Sequence, residues 1–148
     1  LDTQLGKNLA GLANDGPMNN TPIGNRPTVL TVEDEPDIRG IIAEELSEAG
    51  FNVIQAANGE AALAMVRQYH PKVIIIDLVM PKMNGLQFLL RLAALETDNA
   101  SVIVISGMTD PLITETCRGA GASLIMDKPF HLDDLRIAVI NAIANNPC

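Results

Sequence analysis

Four short segments of this chain carry residues that could do chemistry together: Glu33-Asp34-Glu35, Asp77, Ser106 and Lys128-Pro129. Each follows a run that reads as a β-strand: Thr28–Val32, Val73–Ile76, Val102–Ile105 and a weaker run at Ser123–Met126. Strands at such regular intervals, alternating with helical stretches, imply a parallel sheet. The carboxyl ends of such strands gather at one edge, where ligands bind. Acids, a hydroxyl and an amine that are far apart in sequence therefore converge. Several carboxylates in one crevice repel one another unless a cation lies among them. A lysine and a serine hydroxyl beside them suit an anion with several oxygens. The chemistry that follows is metal-assisted phosphoryl transfer to a carboxylate.

The elements that must position these groups alternate from Pro27 onward. The pattern predicts β1 at Thr28–Val32. Pro36 suits the start of a helix, and Ile38, Ile41, Ile42 and Leu46 continue an apolar stripe (α1) towards Gly50. Phe51–Ala56 reads as β2. Asn58 is a good N-cap for α2, whose stripe of Ala61, Leu63 and Val66 runs to about His70 before Pro71. Val73–Asp77 is β3, apolar up to its final acid, as expected of a strand buried on both faces. Gly85–Leu95 is α3, Ser101–Ile105 is β4 and Thr109–Arg118 is α4, closed by Gly119-Ala120-Gly121. Ser123–Met126 is β5 and Leu132–Ala144 is α5. Five βα units of this length predict an α/β fold, a flavodoxin-like, doubly wound five-stranded parallel sheet with five helices.

Residues 1–26 differ in character. Asn14-Asp15-Gly16-Pro17 and Asn19-Asn20-Thr21-Pro22 are turn or linker chemistry. Leu1, Leu5, Leu9 and Leu12 have helical spacing, but Gly6 and Gly11 weaken any helix there. This segment is expected to be a flexible tail, a linker or the end of a preceding helix. The 148 residues suffice for one domain with its own core, placed at 27–146. Apolar residues make up 47% and aromatics 3%, so the core must be built mainly from Ile, Val, Leu and Ala. The net charge of −8 argues against direct nucleic-acid or anionic-membrane binding. No apolar run approaches the roughly 18 residues of a membrane span, and no signal peptide is visible. A cytoplasmic location is expected. Cys117 and Cys148 lack metal-binding spacing and are expected to remain unpaired.

The segments Gly24–Arg39, Ile75–Gly85 (Ile-Ile-Asp-Leu-Val-Met-Pro-Lys-Met-Asn-Gly), Ser106-Gly107 and Lys128-Pro129-Phe130 closely resemble the receiver domain of bacterial two-component response regulators. Order, spacing and placement at strand ends all agree over roughly residues 27–146. The resemblance implies strand order 2-1-3-4-5. It also implies that Asp77 accepts the phosphoryl group. Asp34, Asp77 and the backbone carbonyl of Val79 would ligate Mg²⁺, with Glu33 acting mainly through a bound water. Lys128 would pair with the phosphoryl group, and with Asp77 when it is unmodified. Ser106 would donate its hydroxyl to a phosphoryl oxygen. The Lys128–Pro129 bond would be cis, and Met80-Pro81 and Gly85 would shape the loop after Asp77. Glu35 reads instead as an exposed acid near the start of α1, favourable to the helix dipole. His70 and His131 read as surface or helix-end residues.

Two features depart from the family pattern. Glu33-Asp34 stands where many members carry Asp-Asp. Ile125 stands three residues before the lysine, where Tyr or Phe is usual, so an aromatic side-chain switch cannot operate in the usual way. The implied partners are a sensor histidine kinase or histidine phosphotransfer protein, or a small phosphodonor. The implied output is a shift of the α4-β5-α5 face, which partners or a second copy of the chain would read. The chain would assist its own phosphorylation and dephosphorylation without being an enzyme otherwise. It is expected to be either a stand-alone regulator or a receiver from a larger protein with a further domain upstream or downstream. Three alternative readings fit the residues less well. A haloacid-dehalogenase-like phosphatase needs an Asp two positions after its nucleophile, where this chain has Val79. A flavodoxin-like binding protein needs a glycine- and hydroxyl-rich loop where Glu33-Asp34-Glu35 would repel phosphate. A degenerate docking receiver would not need the acids and Lys128.

Overall fold

A computed structural model describes residues 26–80, 83–95, 100–107 and 110–145 of the chain. Elements alternate as β1 (Thr28–Val32), α1 (Pro36–Glu48), β2 (Asn52–Ala56), α2 (Gly59–Tyr69), β3 (Val73–Asp77), α3 (Gly85–Ala94), β4 (Ser101–Ser106), α4 (Pro111–Gly119), β5 (Leu124–Asp127) and α5 (Leu132–Ala144). The strands form one parallel sheet in the order β2-β1-β3-β4-β5, as the resemblance implies. The Leu1–Leu12 stripe, Pro81, Met108, Thr109 and Cys148 lie outside the described residues.

Alternation along the strands divides the core between the two sheet faces. Leu30, Val32, Ile74, Ile76, Val102 and Val104 pack on one side with Ala62, Val66, Phe88, Leu89 and Cys117 of α2, α3 and α4. Val29, Val73, Ile75, Ile103 and Ile105 pack on the other with Ile42, Leu46, Leu135 and Val139 of α1 and α5. All five residues of β3 are buried, because helices cover both faces of the central strand. Arg136 of α5 reaches Glu45 of α1 at 2.5 Å and joins the two helices on that side.

Several element ends differ from the sequence pattern. β4 continues to Ser106 and β5 occupies Leu124–Asp127, because main-chain pairing carries both strands one residue past their apolar runs, to the partners Ser106 and Asp127. α4 starts at Pro111, where Asp110 caps it by accepting the N–H of Leu112 at 2.9 Å. Asn58 caps α2 as expected, its side chain accepting the N–H of Ala61. His70 ends α2 in the left-handed region, with φ 49°, immediately before Pro71. The helical stripes are also rotated from the expected ones. Ile41 is 51% exposed, and Ala62 rather than Ala61 faces the core of α2.

Candidate functional site

The register of the sheet assembles the site. Val32 of β1 lies beside Ile76 of β3, so Glu33 emerges abreast of Asp77. Asp77 pairs with Ile105, and Ser106 with Asp127, so Ser106 and Lys128 emerge on the next two strands. The Lys128 N–H donates to the Ser106 carbonyl at 2.8 Å and ties these two strand ends together. One carboxylate oxygen from each of Glu33, Asp34 and Asp77 lies within 4.8 Å of the other two. A pocket of about 330 Å³ opens over them, lined by Glu33, Asp34, Glu35, Asp77, Val79, Gly107 and Lys128.

Asp77 forms the pocket floor and is held at both oxygens. Oδ1 accepts the Val79 N–H at 3.0 Å, and Oδ2 accepts from the Lys128 ammonium at 2.5 Å. The Asp77 side chain is 7% exposed and that of Lys128 35%, so the ammonium reaches in from the rim. Burial pulls the Lys128 ammonium pKa down, but its hydrogen bond and charge attraction to Asp77, with Glu33 and Glu35 adding to them, leave it raised overall. The Lys128–Pro129 bond is cis, as the resemblance implies. Ser106 is 2% exposed, and Gly107 rather than Ser106 lines the pocket.

Glu33 bears the electrostatic strain of the cluster. Burial pushes its carboxyl up to about 7 from an ordinary 4.5; the Asp77 charge and a hydrogen bond with Asp34 add to the rise, against the Glu35 N–H and Lys128. The donor set is all oxygen and negatively charged, with neither sulfur nor imidazole. That combination fits a hard divalent cation such as Mg²⁺ and not a thiolate- or imidazole-loving metal.

Two contributions to the site were not anticipated. Glu35 lines the pocket besides occupying the N-cap position of α1, and its N–H donates to Glu33 Oε2 at 3.2 Å. Arg39, one turn into α1, donates from Nη1 to the Glu33 carbonyl at 2.7 Å. The run Glu33-Asp34-Glu35 marks the first as an acid near the site. No sequence pattern marks the second, because its acceptor is a main-chain carbonyl.

Comparison with known proteins agrees with the fold. The family profile described as the response regulator receiver domain matches residues 29–140. The chain is 31% identical over 111 residues to sporulation initiation phosphotransferase F of Bacillus subtilis, covering 75% of this chain and 89% of that protein. It is 33% identical over 118 residues to a cyclic di-GMP phosphodiesterase of Thermotoga maritima, covering 80% of this chain but only 31% of that longer protein. The solved receiver domain of the Francisella response regulator 1452 superposes with a TM-score of 0.74 at 28% identity, covering 81% of this chain and 98% of that one. No helix among the described residues is long and apolar enough to cross a membrane.

Proposed function

This chain belongs to the response regulator receiver domain family, and we propose that it is a phosphoacceptor that takes a phosphoryl group onto Asp77 with the help of Mg²⁺. Receiver domains are signalling modules rather than enzymes, and the reaction is one event in a relay. The observation that carries the reading is the convergence of Glu33, Asp34 and Asp77 around one point, with the Lys128 ammonium on Asp77.

In the proposed reaction, a lone pair of the Asp77 carboxylate forms a bond to phosphorus. The bond from phosphorus to the donor breaks, and its electron pair stays with the donor, which takes up a proton. For a histidine kinase or histidine phosphotransfer protein the donor atom is an imidazole nitrogen. The product is an acyl phosphate. Asp77 is prepared for this because both of its oxygens are fixed by donors and it is shielded from bulk water. Lys128 would move from the carboxylate to the incoming phosphoryl oxygens as a compact point charge. Ser106 would donate its hydroxyl to a phosphoryl oxygen, which requires a small movement of the strand end, since the side chain is buried. Asp34, Asp77 and the Val79 carbonyl would hold Mg²⁺, with Glu33 acting through a water, and the cation would neutralise charge on the acids and the phosphoryl group together.

The output is read from the α4-β5-α5 face. Leu112, Leu124, Ile137 and Ile140 are exposed apolar side chains on these three elements, which favours a surface that a partner or a second copy covers. Phosphorylation would shift populations of that face.

Incubation with acetyl phosphate, with and without Mg²⁺, followed by mapping of the adduct by mass spectrometry, tests the reading. Label is expected on Asp77 alone and only with the cation. Asp77→Asn should abolish it, and Asp34→Ala should weaken Mg²⁺ binding severely. Label on another residue, or labelling independent of the cation, would overturn the assignment.

A further inference from the structure

The acids that face Asp77 sit on a turn between β1 and α1, and that turn has an unusual support. The N-cap of α1 is Glu35, and its side chain makes no capping hydrogen bond. The first turn of the helix therefore lacks the side-chain acceptor that ordinarily fixes where a helix begins. Residue 39 supplies two restraints instead. Its backbone N–H donates to the Glu35 carbonyl at 2.9 Å, as the helix requires, and its guanidinium reaches back to the Glu33 carbonyl at 2.7 Å. One residue thus brackets Glu33-Asp34-Glu35 from both ends. Further restraints on the turn are the Glu33 N–H to the Ala56 carbonyl at 3.1 Å and the Glu35 N–H to Glu33 Oε2, besides the hydrogen bond between Glu33 and Asp34. The second of these uses the carboxylate that has to face the cation, so it weakens when that carboxylate turns towards a ligand. The arginine bond uses a main-chain carbonyl and stays in place.

We propose that Arg39 is a positioning residue for the cation site: by holding the Glu33 carbonyl, it fixes the turn so that Asp34 and Glu33 face Asp77, and it thereby strengthens Mg²⁺ binding. This rests on the Mg²⁺ role proposed above. The inference has a distinctive sign. As a positive charge beside the acids, Arg39 can only repel a divalent cation, so removing it for its charge alone would tighten binding. As a clamp, its removal loosens the turn and weakens binding. The two effects also differ between cations. Mg²⁺ demands near-ideal octahedral geometry, whereas Ca²⁺ tolerates irregular coordination. Loosened acids therefore penalise Mg²⁺ more than Ca²⁺, while a change of charge or a general loss of folding shifts both alike.

The test is calorimetric titration of the full chain with MgCl₂ and, separately, CaCl₂, in the wild type, Arg39→Met and Arg39→Lys. Thermal unfolding in EDTA runs alongside. Arg39→Met is expected to lose about tenfold in Mg²⁺ affinity, the scale of one charge-assisted hydrogen bond, and less than threefold for Ca²⁺. Arg39→Lys keeps a donor and the charge and should recover most of the Mg²⁺ affinity. Unchanged or tighter Mg²⁺ binding in Arg39→Met, or equal losses for the two cations, would overturn the proposal. If Arg39→Met fails to fold, Arg39→Lys decides by itself: its ammonium does not place a donor where the guanidinium Nη1 sits on the Glu33 carbonyl, so a smaller version of the same Mg²⁺-over-Ca²⁺ loss is required. A wild type that binds neither cation refutes the Mg²⁺ role itself, a result distinct from any difference among the variants.

Discussion

Glu33 gives the sharpest test of the site's electrostatics. Its carboxyl is 4% exposed, and burial pushes it up to about 7 from an ordinary value of 4.5. Between these two values the unfolded chain has released a proton that the folded chain still holds. Stability therefore falls as pH rises through this window and levels off above about 7. The interval from 4.5 to about 7 corresponds to a loss of about 3 kcal/mol, at roughly 1.4 kcal/mol per pH unit. Glu33→Gln keeps an amide oxygen to accept the Glu35 N–H and removes the titration. Urea unfolding in EDTA at pH 5, 6, 7 and 8 should show the wild type losing about 2.5 kcal/mol more than the variant between the ends of the series, because part of the full loss already lies below pH 5. Saturating Mg²⁺ should reverse the wild-type trend, because the ionised cluster then has a cation among its charges. Parallel pH profiles for the two proteins in EDTA would refute the account of a carboxyl held protonated by burial, with the Asp77 charge adding to the effect.

Two further outcomes follow from the loops around Asp77. A Cβ at Gly85 would lie 2.9 Å from Leu78 Cα and 3.2 Å from the Asp77 carbonyl, so Gly85→Ala must displace backbone beside the proposed phosphoacceptor; urea unfolding should show a loss of about 1–3 kcal/mol, and acetyl phosphate labelling should slow. Val79, 58% exposed at the pocket rim, cannot orient a water by hydrogen bonding through its side chain, and neither can Met108, which lies outside the described residues; the phosphorylated form should therefore be long-lived, and Val79→Asn with Met108→Glu should speed its decay in a time course of label loss.

The sheet and the convergence of the site are legible in the sequence because one feature encodes both. Each strand next to the centre is a short β-branched run, and its apolar character stops where a polar group must face the crevice. Glu33 after Val32 and Asp77 after Ile76 are strand ends and candidate site residues at once, while Ser106 after Ile105 ends its strand buried, with Gly107 lining the pocket. The strand boundaries were misplaced for the same reason. Ser106 and Asp127 are polar yet still paired, because the main-chain ladder continues one residue after the side chains turn polar. The helical stripes were harder to read. Ile41-Ile42 and Ala61-Ala62 each offer two adjacent apolar residues, and only packing against the sheet selects Ile42 and Ala62. Arg39 lay beyond sequence reasoning altogether. Its contribution depends on a side chain folding back over a turn to a carbonyl, and any arginine at the start of a helix would look the same.

Ile125 shows how a single readable departure bears on mechanism. It pairs with Val104 in the sheet and packs partly buried against the core beneath α2, α3 and α4. A β-branched side chain in that setting has little freedom about χ1 and cannot swing as a ring on a longer arm would. The proposed function therefore needs another link between Asp77 and the α4-β5-α5 face. The backbone supplies one. Leu78 N–H donates to the Ile105 carbonyl at 2.9 Å, and Lys128 N–H donates to the Ser106 carbonyl at 2.8 Å. The ends of β3, β4 and β5 are thus tied in series across the site. If the strand end at Ser106 shifted to bring its hydroxyl to a phosphoryl oxygen, as the proposed function requires, its carbonyl would move too, and the Lys128 strand end would follow or lose its bond. Beyond Ser106 the chain leads through the exposed Gly107 to the Asp110 cap and the first turn of α4. Under the proposed function, in a receiver without the ring, this main-chain route would carry the effect of a charge placed on Asp77 to α4 and β5 together.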